Sequence, residues 1–126
     1  MTPEELNERL KGEGIVALMV EEWEAIASAF EPVWRHDTGF AGELLIARGP
    51  VGSEPEGPAD LDAPLIAVEA PKPAARVVRL LADEEEAKRF VEYRLAQYER
   101  MWDGCGCRID YYAPLPEARD TAEAKA

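Results

Sequence analysis

Two cysteines one residue apart, Cys105-Gly106-Cys107, are the side chains whose type and spacing could most directly do chemistry. Thiols at that spacing can close a strained small-ring disulfide, or offer two soft ligands to one metal ion. The pair supplies two of the four ligands that zinc takes. The rest would come from His36, the single histidine, with an aspartate, or from the same pair of a second copy across a two-fold axis. The candidate metal set is therefore Cys105, Cys107 and His36, and its ion zinc or another soft metal. Local electrostatics oppose a hyperreactive thiol. The pair follows the expected C-terminal end of a helix, where the dipole is negative and Asp103 adds charge, so thiolate formation is disfavoured unless Arg100 and Arg108 fold over the sulfurs. The plain alternative makes Cys107 a small core residue in phase with Ile109 and Tyr111, and Cys105 a loop residue after Gly104.

His36 precedes Asp37, but neighbours on a strand point to opposite sides, so that carboxylate would not orient the imidazole. A histidine on a surface turn is the simpler reading. The acidic runs Glu21-Glu22-Glu24 and Glu84-Glu85-Glu86 lack the ligand spacing of a calcium loop and fit solvated helix faces. The phosphate-binding Gly-rich loops, the His-Glu-x-x-His zinc motif and the Gly-x-Ser-x-Gly elbow are all missing from the sequence. Of the two serines, Ser28 falls in an Ala-rich helical stretch and Ser53 in a loop whose Glu54, Glu56, Asp60 and Asp62 would repel phosphate.

Large rings are frequent for so short a chain: Trp23, Trp34, Trp102, Tyr111 and Tyr112. Trp23 and Trp102 fit apolar helical stripes and are expected in the core. Tyr111 and Tyr112 alternate, which exposes one of them. Tyr112 and Trp34 are the candidate interface residues, for homodimerisation through a sheet face or edge or for binding another protein.

These residues must be positioned by a short list of elements. Thr2-Pro3-Glu4-Glu5 opens a helix with a capping residue, a proline at the first position and a glutamate that completes a capping box, and Gly12 and Gly14 close it. Met19, Trp23, Ile26, Ala27 and Phe30 recur at helical spacing, predicting a helix over 17–31, although the apolar run from Ile15 to Val20 is also compatible with a strand. Strands are expected over 33–36, 43–48, 65–69 and 76–81, the last two pairing across Pro71-Lys72-Pro73-Ala74. Residues 49–64 form a mobile Pro/Gly/acidic loop.

Asp83 caps a long helix with Glu84-Glu85-Glu86 in its first turn and Gly104 past its end. Ala87, Phe90, Val91, Leu95, Tyr98 and Trp102 make its stripe, with four-residue ion pairs from Glu84 to Lys88 and from Glu85 to Arg89. Cys107 to Tyr112 then alternates as a strand, which would make the segment from Arg76 to Tyr112 a possible crossover unit. The fold class is α+β: a small, mostly antiparallel sheet of four to five strands with two main helices packed on one face. Residues 1–116 make one domain and 117–126 a disordered tail.

Composition bounds the function. The 126 residues carry 26 acidic and 14 basic side chains, a net charge of -12, which repels nucleic acid and anionic membrane surfaces. Arginine outnumbers lysine ten to four, and asparagine and glutamine occur once each, a bias seen with heat adaptation and with GC-rich bacterial codons alike. No run reaches the roughly 18 apolar residues that a membrane helix needs, and the acidic start is unlike a secretory signal. The expectation is a small cytoplasmic interaction or accessory module, a homo-oligomer or a subunit of a complex. The alternatives are a thiol-dependent metal or redox protein using Cys105 and Cys107, and an enzyme with a pocket near His36, Asp37 and the 49–64 loop.

Overall fold

Runs of apolar residues that are nearly continuous, such as Leu44-Leu45-Ile46-Ala47 and Leu65-Ile66-Ala67-Val68, belong to strands buried on both sides. A computed structural model of the chain, which describes residues 1–37, 42–50, 64–104, 109–112 and 115, places both at the centre of one antiparallel sheet. The elements are α1 (Pro3–Glu13), β1 (Ile15–Met19), α2 (Val20–Ile26) with a 3₁₀ turn over Ala27–Ala29, β2 (Glu31–Asp37), β3 (Glu43–Arg48), β4 (Leu65–Lys72), β5 (Ala75–Leu81) and α3 (Glu84–Trp102). Strands β2 to β5 form a meander. β1 adds to its far side, giving the order β1-β5-β4-β3-β2 with every neighbour antiparallel.

The α+β class and the antiparallel sheet follow the sequence pattern, but the two main helices do not share a face. Val16, Leu45, Ala47, Ile66, Val68 and Val78 pack with Leu6 and Leu10 of α1 and with Trp23 and Ile26 of α2. Their alternates Leu44, Ile46, Leu65, Ala67 and Leu81 pack with Ala87, Phe90 and Tyr98 of α3. Strands apolar on both sides need cover on both faces, and that requirement splits the helices.

The expected 17–31 helix begins as a strand. Ile15 to Met19 pairs with β5, from Ile15 opposite Arg79 to Met19 opposite Ala75, and the helix is confined to Val20–Ile26. Gly14, at a φ of 80° that favours glycine, turns the chain from α1 into β1, and its N–H caps Leu10 O at 2.7 Å. Thr2 caps α1 by accepting from Glu5 N–H at 3.1 Å. The β4–β5 hairpin turns on Pro73-Ala74, with Arg76 Nη1 donating to Ala75 O at 2.8 Å and to Lys72 O and Pro73 O at 3.3 Å. Asp83 caps α3 by accepting from Glu86 N–H at 2.8 Å, and Glu86 accepts in return from Ala82 N–H at 3.0 Å.

The expected strand over 107–112 is not formed at its described residues: Ile109 to Tyr112 carry no strand pairing, so the sequence from Arg76 onward is no crossover unit there. Ile109 and Leu115 instead pack on the α3-side core. The long loop is closed at its base by Gly49 N–H donating to Pro64 O at 2.9 Å. Its interior at 51–63, the tail at 117–126 and the Cys105-Gly106-Cys107 motif lie outside the described residues. Among the described residues, no helix is long and apolar enough to cross a membrane.

Candidate functional site

Helix α3 is held to the sheet by charge as well as by apolar contact. Arg94 falls four residues after Phe90 and four before Tyr98, on the inward stripe. Its Nε lies 2.7 Å from Glu69 Oε2 on β4, its Nη2 donates to Glu69 Oε1 at 3.0 Å, and both side chains are 1% exposed. Tyr98 Oη donates to Glu69 Oε2 at 3.2 Å, while Arg94 Nη1 donates to Gln97 Oε1 at 2.7 Å. Arg79 on β5 donates from Nη2 to Tyr111 O at 2.8 Å. The guanidinium of Arg94 sits 5.1 Å from the Phe90 ring centre and 5.2 Å from that of Tyr111.

Burial raises the Glu69 carboxyl above its ordinary value against the lowering pull of Arg94, and lowers Arg79, with Arg94 adding to the effect. Burial, with Glu69 beside them, also holds the phenols of Tyr98 and Tyr111 above the usual tyrosine range. The ion pair is enclosed, so the cluster fixes the seat of α3 and does not present a reactive group to solvent.

Seated over β4 and β5 and packed on Leu44 and Ile46 of β3, α3 leaves the edge strand β2 of the same sheet face largely exposed. The result is a groove between β2 and the outward side of α3. One part, about 800 Å³, is lined by His36, Leu95, Ala96, Tyr98, Trp102 and the acidic Glu92, Glu99 and Asp103. The adjoining part, about 400 Å³, shares Glu92 and is lined by Trp34, Ile46, Leu65, Ala87 and Val91, with Glu84 and Arg48 paired at 3.3 Å on its rim. Trp34 and His36 share this face as i and i+2 of β2, and their rings stack with centroids 5.8 Å apart at 11°.

The groove gathers some of the residues that the sequence singled out. Trp34, a candidate interface residue, is half-buried in its wall. His36 is exposed on β2 and stacked on Trp34, so it belongs to a strand and not to a surface turn. Asp37 follows it on the opposite side of the strand. Tyr112 is exposed, and its N–H donates to Asp110 Oδ1 at 2.9 Å.

Trp102, expected in the core, is instead 75% exposed at the last turn of α3, where it lines the groove with His36. The glutamates of α3 choose other partners than expected: Glu84 meets Arg48, Glu85 meets Lys88 at 3.8 Å and Glu86 meets Arg89 at 3.7 Å. On α2, Glu22 accepts from Met19 N–H at 3.0 Å. Cys105 and Cys107 lie outside the described residues, and among those described no group of three or more His, Cys, Asp or Glu side chains could hold a metal ion. Sequence reasoning missed Glu69, Arg79 and Arg94. The signal was there: each is a charged residue standing in phase with apolar ones.

Compared with models of protein families, with curated proteins and with solved structures, the chain matches none.

Proposed function

We propose that this chain is a cytoplasmic interaction or accessory module, and that the groove between β2 and α3 holds an amphipathic helical segment of another protein. The observation that carries this reading is Trp102: a large ring, three-quarters exposed, standing over a groove floored by Leu95 and Ala96 and continued by Trp34, Val91 and Ile46. Exposed aromatics beside an apolar trough are the usual anchors of a protein interface. Charge complementarity selects the occupant. Glu92, Glu99 and Asp103 rim the wider part, so a segment with leucine-like side chains inward and lysine or arginine at its margins fits. A second copy is a poorer occupant, because each carries a net charge of -12.

The test uses a synthetic helix with leucines at three- and four-residue spacing flanked by lysines, and a twin flanked by glutamates. The lysine form is expected to shift the indole NMR signals of Trp34 and Trp102 and leave that of buried Trp23 in place, and Trp102→Ala is expected to cancel binding. Equal binding of both peptides, or of neither, overturns the assignment. A stable dimer in sedimentation of the protein alone, broken by Trp102→Ala, replaces the peptide with a second copy.

A further inference from the structure

The sheet edge at β1 lies opposite the groove, across the whole strand order. The register of β1 on β5 is unbroken, and two flanking bonds fix its direction: Leu80 N–H donates to Gly14 O, and Val20 N–H to Ala74 O, both at 2.9 Å. Main-chain groups in an antiparallel pair face the partner at every second residue. Gly14, Val16, Leu18 and Val20 therefore face β5, while Ile15, Ala17 and Met19 direct their N–H and C=O groups out of the sheet. Met19 N–H is taken by Glu22 Oε1 at 3.0 Å. No bond among the described residues takes the outward groups of Ile15 and Ala17. Ala17 is exposed and Met19 is 52% exposed, so this edge is open.

The opposite edge is guarded. β2 carries Glu31, Arg35 and Asp37, contains Pro32 with no N–H, and shifts register between Pro32 and Trp34. Charges, proline and a bulge are the devices that keep an edge from pairing. β1, Ile15-Val16-Ala17-Leu18-Met19, has none of them among its own residues, and Glu22 of α2 covers only the N–H of Met19.

We propose that the β1 edge takes an extended segment of another protein as a further antiparallel strand, apolar at alternate positions and bearing lysine or arginine where it passes Glu21 and Glu22. Charge decides the occupant. Glu22 stands on the edge itself, with Glu21 before it in the first turn of α2, while Arg9 reaches Glu13 at 3.2 Å and leaves the α2 glutamates as the stronger anions. A second copy would bring the same Glu22 and its own net charge of -12 to the edge, which opposes self-pairing. Backbone bonds give such a complex its affinity, and the alternating side chains give it selectivity.

The probe is the peptide Lys-Thr-Val-Thr-Val-Thr-Lys, with a twin flanked by glutamates and a third form N-methylated at its bonding amides. The lysine peptide is expected to move the amide NMR signals of Ile15 and Ala17 and to slow their hydrogen exchange about tenfold. The N-methylated and glutamate forms are expected to do neither. Ala17→Pro removes only an outward N–H, so it should fold like the parent and lose the peptide; if it melts early, the N-methylated peptide makes the same test on the parent. Signals at Ile15 and Ala17 that stay put, or that respond equally to the N-methylated form, overturn the proposal. A dimer of the parent that Ala17→Pro dissociates also overturns it, in favour of self-pairing.

Discussion

The two faces of the sheet are closed by different means. Under α1 and α2 the contact is made by Leu6, Leu10, Trp23 and Ile26 against aliphatic strand residues. Under α3 the same strands present Glu69 and Arg79 among their apolar residues; Arg94 answers Glu69 from the helix, while Arg79 donates to Tyr111 O. An aliphatic interface is non-directional and tolerates small shifts of the helix. A buried ion pair is directional, since Arg94 meets Glu69 at one position of α3 along β4. The charged face is also the one left partly uncovered, so a helix fixed by charge can stand beside an open groove without sliding over it.

The largest effect that would break this comparison is the loss of one ionic partner. Arg94→Met is expected to cost about 3–5 kcal/mol in denaturant unfolding, because it strands Glu69 in the core, whereas the double variant Glu69→Leu with Arg94→Met should recover most of that. A double variant no more stable than the single would mean that shape, and not charge, seats α3. On the other face Leu10→Ala should cost about 3 kcal/mol by leaving a cavity. Combined with Arg94→Met its effect should add, as the two sites share no partner. A strong departure from additivity would show that the faces are coupled through the sheet.

The pH dependence sharpens the contrast next. Tyr98 and Tyr111 have folded-state pKa values above the ordinary phenol range, so their contribution is complete below about pH 10 and fades as pH rises and the unfolded chain releases those protons. Urea midpoints should fall on going above about pH 10, and less steeply in Tyr98→Phe. On titration of the folded protein, absorbance at the tyrosinate band should fall short of the value for all four tyrosines until the protein is unfolded. A full rise before unfolding would contradict the burial of both phenols. The smallest effect is expected at Trp102→Ala: a change within about 0.5 kcal/mol in stability, since the ring is exposed, together with loss of peptide binding.

How much of this was legible in the sequence depended on the range of the interactions involved. α3 was legible from Asp83, Glu86 and Gly104, and the β4–β5 hairpin from its prolines, because caps and turns are local chemistry. β1 was ambiguous because Met19, Trp23 and Ile26 keep helical spacing across its boundary, and only pairing with β5 made Ile15–Met19 a strand. The alternation of Cys107 to Tyr112 suggested a strand, but the described residues Ile109 to Tyr112 have no neighbouring strand to pair with. For the candidate site, Trp34 and His36 could be named but not joined, and Trp102 was assigned to the core because periodicity gives a side chain's direction and not what covers it.

By itself, the sequence determined the α+β class, the caps of α1 and α3, the hairpin turn and an acidity that disfavours anionic partners. These follow from neighbours within a few residues or from summed composition. The tertiary structure alone decided that helices cover both faces, that Glu69, Arg94 and Tyr98 meet, that Trp102 overhangs a groove and that one sheet edge is guarded while the other is open. Each of these depends on which distant segments become neighbours, and that is settled by the burial of strands apolar on both sides rather than by any local preference.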